Sequence, residues 1–139
     1  MTARQTFSEL QIEAADRILF RLRQAVSPAF LGLVSASGHP ISTYIGPDMS
    51  DASSICPLAA SSFAVTKTLA NVMENDEFTV MFHESSDLNV HIAQVSDGVL
   101  LVVCFKKASE LGKVRLISRK AADVLSDIIN YGGLNRGAD

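Results

Sequence analysis

No tryptophan occurs in this sequence, and there are only two tyrosines and two cysteines. The cysteines, Cys56 and Cys104, lie in apolar surroundings without a C-x-x-C spacing. This reads as two buried free thiols in a reducing compartment, and it argues against a disulfide framework or a zinc site. Long hydrophobic runs are absent too. The longest, Val99 to Phe105, falls far short of the roughly 20 apolar residues that a spanning helix needs, so no membrane insertion is expected. Met1 to Gln11 is polar and has none of the apolar core of a signal peptide, which makes the expected location cytoplasmic. Strong charge of one sign is missing as well. A formal net charge of −3 gives no whole-chain attraction to nucleic acid or anionic lipid. Neither phosphate-binding glycine signature, G-x-x-x-x-G-K-[ST] or G-x-G-x-x-G, is present, so no nucleotide cofactor is expected.

What remains is ample material for a core. Hydrophobic residues make up 47% and charged residues 19% of 139 residues, the balance of one ordered domain. The domain is expected over residues 8–131, with 1–7 and 132–139 as flexible termini. Ser8 and Gln11 stand in capping-box relation and open a first helix, with Leu10, Ala14, Ile18, Leu22 and Val26 as its apolar stripe and Pro28 as its stop. Two short strands follow, Phe30 to Ala36 and Ile41 to Gly46, joined by the turn Ser37-Gly38-His39-Pro40.

A second helix is expected from Ser53 or Cys56 to Met73, with Pro57 confined to its first turn. At 100° per residue it has two apolar faces. Ile55, Leu58, Ser62, Val65, Leu69, Val72 and Met73 form the expected core face. Cys56, Ala60, Phe63, Ala64, Lys67 and Ala70 form the other. That second face is either buried as well or open to a partner, with small residues allowing close approach and Phe63 as anchor.

Three strands come next, Phe78 to Glu84, Leu88 to Val95 and Val99 to Phe105. Thr79, Met81 and His83 alternate with Phe78, Val80 and Phe82 in the first of them. The last strand shows no alternation, which places it centrally with helices over both its faces. Gly98 supplies the turn before it. A final helix begins near Ser109, carries Leu111, Val114, Ile117, Ala121, Leu125 and Ile128 on one stripe, and is expected to end at Gly132-Gly133.

Catalytic signals are weak. His83 and His91 could share a sheet face, but no third metal ligand accompanies them, and His39 reads as a turn residue. Ser53, Ser54, Ser61, Ser62 and Cys56 crowd the second helix without a G-x-S-x-G elbow. Lys106, Lys107, Lys113, Arg115, Arg119 and Lys120 form a basic rim. It is unaccompanied by the aromatic platform or recognition helix of a nucleic-acid module, and it would serve equally to dock an acidic protein surface. No catalytic, cofactor-binding or metal-ligating residues are assigned, and a non-enzyme is expected.

The element order, the small-residue helix Ala59 to Thr66, the run Asp76-Glu77-Phe78-Thr79-Val80-Met81-Phe82-His83-Glu84, and Gly98 to Phe105 followed by Leu111-Gly112-Lys113-Val114-Arg115 resemble the Roadblock/dynein light chain domain, and within it the bacterial MglB-like members. The resemblance covers Ser8 to Ile129. It implies an α+β, profilin-like three-layer sandwich of order α-β-β-α-β-β-β-α, whose five-stranded antiparallel sheet has helix two on one face and the terminal helices on the other. It also implies a homodimer joined through the third strands and second helices. Such proteins bind a small Ras-like GTPase, and the MglB-like ones stimulate its hydrolysis by reshaping the GTPase's own active site. The expected partner or dimer surface comprises Cys56, Ala60, Phe63, Ala64, Lys67 and Ala70 with Thr79, Met81 and His83. Small-molecule sensing, or scaffolding without GTPase activation, is the alternative.

Overall fold

The computed structural model describes residues 7–47, 49, 52–74 and 79–138, with side chains described as far as residue 130. The elements run α1 (Glu9–Val26), β1 (Phe30–Ser35), β2 (Pro40–Ile45), α2 (Ile55–Val72), β3 (Val80–His83), β4 (Asn89–Ser96), β5 (Val99–Phe105) and α3 (Leu111–Ala138). Single turns of 3-10 helix, Ala52–Ser54 and Ala108–Glu110, lead into α2 and α3. The strands form one antiparallel sheet in the order β2-β1-β5-β4-β3. β5 is the central strand, and all its residues are buried. This is the α+β fold expected, with α1 and α3 packed on one sheet face and α2 on the other.

Local chemistry explains the element ends. Ser8 and Gln11 make the reciprocal capping box, Ser27 closes α1 with a left-handed φ of 45°, and Gly38 turns the β1–β2 hairpin at φ 94°. A Cβ on Gly38 would lie 2.9 Å from Pro57 Cα, so glycine also lets the hairpin tip rest on the first turn of α2.

Three expectations fail. The buried row of α1 is Gln11, Ala15, Leu19, Leu22 and Val26, while Leu10 is exposed. Gln11 Nε2 donates to the carbonyls of Ile128 and Ile129 at 3.2 and 3.3 Å. That tie to α3 fits a helix turned inward along the capping-box side. Second, α3 continues through Gly132 and Gly133 to Ala138. Glycine weakens a helix by about 1 kcal/mol but keeps its N–H, so it ends one only where the backbone turns left-handed.

The third concerns α2, whose two faces are exchanged. Cys56, Ala59, Ala60, Phe63 and Ala70 are buried against the sheet, and Leu58, Val65, Leu69, Val72 and Met73 face outward. The physical reason is complementarity of size. The sheet already supplies bulk beneath α2 through Phe30, Val34, Ile92, Leu100 and Val102, so mostly small residues face it, with Phe63 as the one large buried side chain the space admits. Gly32 belongs to the same accommodation: a Cβ there would come within 2.9 Å of the Phe30 ring.

Candidate interaction surface

The outer face of α2 is the first part of the site. Leu58, Val65, Leu69, Val72 and Met73 are between 57% and 76% exposed, on a helix that is apolar on both sides. Isolated exposed aliphatics are ordinary, but a run of them on one helix makes that face a candidate contact surface. Strand β3 is the second part. Among the described residues it pairs only with β4 and forms one end of the sheet. Val80 is exposed, and Met81 and Phe82 are half-buried.

Of the expected surface residues, Cys56, Ala60, Phe63 and Ala70 lie in the core beneath α2, which corrects their placement on its outer face. Ala64 is exposed and Lys67 half-buried; its ammonium reaches Gln94 Oε1 on β4 at 3.0 Å and stands 5.9 Å from the Phe63 ring centroid. Thr79 and His83 are exposed. Met81, opposite Ile92, and His83, opposite Val90, share the α2 side of the sheet. The sequence could have shown the outer aliphatics only through their bulk, and bulk is what assigned them to the core.

The histidines do not converge. His83 is on the α2 side, whereas His91 pairs with Phe82 and faces the α1/α3 layer. His91 is buried, and its Nδ1 finds no hydrogen-bond partner among the described residues. Burial, and secondarily the charge of Arg115, hold its pKa down to about 4, so it is neutral in the fold. Among the described residues, no group of three or more His, Cys, Asp or Glu side chains could hold a metal ion. Cys56 and Cys104 are free and buried. Burial raises both thiols, Cys104 to about 12 with Cys56 adding to the effect, so neither is a ready nucleophile. His39 Nδ1 lies 3.1 Å from Ser37 Oγ, and the His39 N–H donates to Ser35 Oγ at 3.0 Å. These exposed contacts staple the hairpin turn. The rim cations Lys106, Lys107, Lys113, Arg115, Arg119 and Lys120 are all exposed. No helix among the described residues is long and apolar enough to cross a membrane.

A three-layer α+β sandwich with a five-stranded antiparallel sheet defines the class. A family model of the Roadblock/LC7 domain matches residues 15–105, and the chain belongs to that family. Among solved structures it is similar to Myxococcus xanthus MglB, at 29% identity over 89% of this chain and 93% of that one, with a TM-score of 0.79. It is also similar in fold to the gliding protein mglB of Thermus thermophilus, at 19% identity, 94% and 99% coverage and a TM-score of 0.85. A structure described as MglB with tetrameric arrangement aligns at 21% identity, 94% and 98% coverage and a TM-score of 0.85. A comparison with curated proteins finds no match.

Proposed function

We propose that this chain is a non-catalytic regulator that acts as a homodimer on a small Ras-like GTPase and stimulates hydrolysis of its GTP. The observation that carries the reading is the aliphatic outer face of α2, where Val65 is 70% and Val72 76% exposed. An apolar face of this kind is stabilised by association, at roughly 25 cal/mol per Å² of apolar surface removed from water. The β3 edge, which has no further strand beside it among the described residues, could pair with a second copy, joining two sheets and bringing the two α2 helices together. Leu58, Ala64, Val65, Leu69, Val72 and Met73, with Thr79, Met81 and His83, then divide between the dimer contact and a composite platform for the GTPase. Membership of the Roadblock/LC7 family and likeness to MglB structures support this assignment. The expected cytoplasmic location is part of the same proposal.

Regulation without a catalytic side chain of its own requires that the protein rearrange groups the GTPase already has. No arginine lies on α2 to be lent to the transition state. The test is turnover: with a Ras-like GTPase encoded beside this chain, phosphate release should rise at least about tenfold over the intrinsic rate, a change of about 1.4 kcal/mol in barrier. Binding without acceleration would reduce the reading to scaffolding, and no binding would end it.

A further inference from the structure

On the α1/α3 side of the sheet, the layer opposite α2, a cleft of about 540 Å³ opens where α1, β2 and β5 all end. Its size is that of small-molecule sites, which run from about 300 to 1,000 Å³. Among the described residues, Arg23, Lys106 and Lys107 line it together with one carboxylate, Glu110. A local excess of positive charge in a chain whose formal net charge is −3 is not a by-product of overall composition.

Arg23 is also held in place. Its guanidinium carbon lies 4.1 Å from the Tyr44 ring centroid and 5.7 Å from that of Phe20. Stacking on an aromatic ring fixes the plane of the guanidinium and leaves its edge donors available, so less side-chain entropy is lost when an anion is gripped. Tyr44 and Phe105 add apolar wall, and Phe105 is itself set by stacking on Phe82 at 6.0 Å between centroids.

We infer that this cleft binds a small phosphate monoester. Arg23 would bind two phosphate oxygens through its fork, Lys107 would act as a point charge, and the carbon skeleton would lie against Tyr44 and Phe105. A monoester carries a charge of about −1.5 to −2, which suits a cleft whose described lining holds more cations than carboxylates even with Lys106 left out. Glu110 would accept from hydroxyls of the skeleton and repel a longer polyphosphate chain. The inference is independent of the GTPase reading, because the cleft and the outer face of α2 lie on opposite sides of the sheet.

The experiment is titration of the full chain, followed by calorimetry and backbone amide NMR. The probes are adenosine monophosphate and glycerol phosphate, with adenosine, glycerol, inorganic phosphate and a polyglutamate peptide as comparisons. Saturable binding of at least one ester is expected, with shifts at Ser27, Gly46 and Lys106 and none with adenosine or glycerol. Arg23→Gln and Lys107→Gln should each weaken binding by about tenfold, as loss of a charge-assisted contact does. Glu110→Gln should tighten it, a gain that a folding defect could not mimic. No saturable shift by about 10 mM ester, a tenfold excess over a Kd of about 1 mM, would overturn the inference. Ester binding that survives both cation substitutions would do so as well, and so would polyglutamate displacing the esters from the same amides.

Discussion

His91 shows how one buried side chain ties stability to pH. It faces the α1/α3 layer, where Ser118 Oγ is likewise buried without a hydrogen-bond partner among the described residues. In the fold its pKa is lowered from 6.5 to about 4, so between those values the unfolded chain binds a proton that the folded chain refuses. Stability therefore rises with pH across that window and falls as acid is added. We expect the difference between wild type and His91→Leu, measured by urea unfolding, to shift by about 2 kcal/mol in favour of the variant as pH falls from about 7 to about 4.5. A parallel pH dependence in both proteins would refute it. Gln11 makes a different point. Its place in the capping box was visible from spacing, but its tie to the carbonyls of Ile128 and Ile129 spans 117 and 118 residues of chain and was not.

Helix α2 is where sequence and structure part most sharply. Its position and its two apolar faces were legible, because hydrophobic periodicity is local. Which face turns inward was not, because both are apolar and the choice depends on the volume the sheet leaves free. Four of the nine expected surface residues, Cys56, Ala60, Phe63 and Ala70, went to the core for that reason. The two faces should respond differently to the same charge. Phe63→Asp places a carboxylate in the α2-side core and should cost at least about 3 kcal/mol, unfolding much of the protein. Val65→Asp should leave the monomer folded, with unchanged circular dichroism, while halving the mass in light scattering and abolishing GTPase stimulation. If Val65→Asp leaves mass and stimulation intact, the outer face of α2 has no part in assembly.

The whole molecule is a sheet with two different faces and two ends. β2 at one end makes a hydrogen bond from Ser42 to Asp16 of α1. β3 at the other end carries exposed Val80 next to half-buried Met81 and Phe82. A sheet end of that composition is an aggregation hazard unless a defined partner occupies it. The proposed self-association through β3 and α2 would make unfolding concentration-dependent, since dissociation would accompany it. The thermal midpoint should climb steadily over a hundredfold increase in protein concentration, and Val65→Asp should flatten that climb. A midpoint independent of concentration in the wild type would count against the dimer.

The sequence alone determined the order of elements, the capping box, the glycine hairpin and the burial of Val99–Phe105, because each follows from interactions within a few residues of chain. The tertiary structure decided the inward face of α2, the rotation of α1, the separation of His83 from His91 and the meeting of Arg23 with Lys106 and Lys107. Those outcomes depend on volumes and distances between segments far apart in the chain, and close packing fixes them only after the sheet and helices have come together.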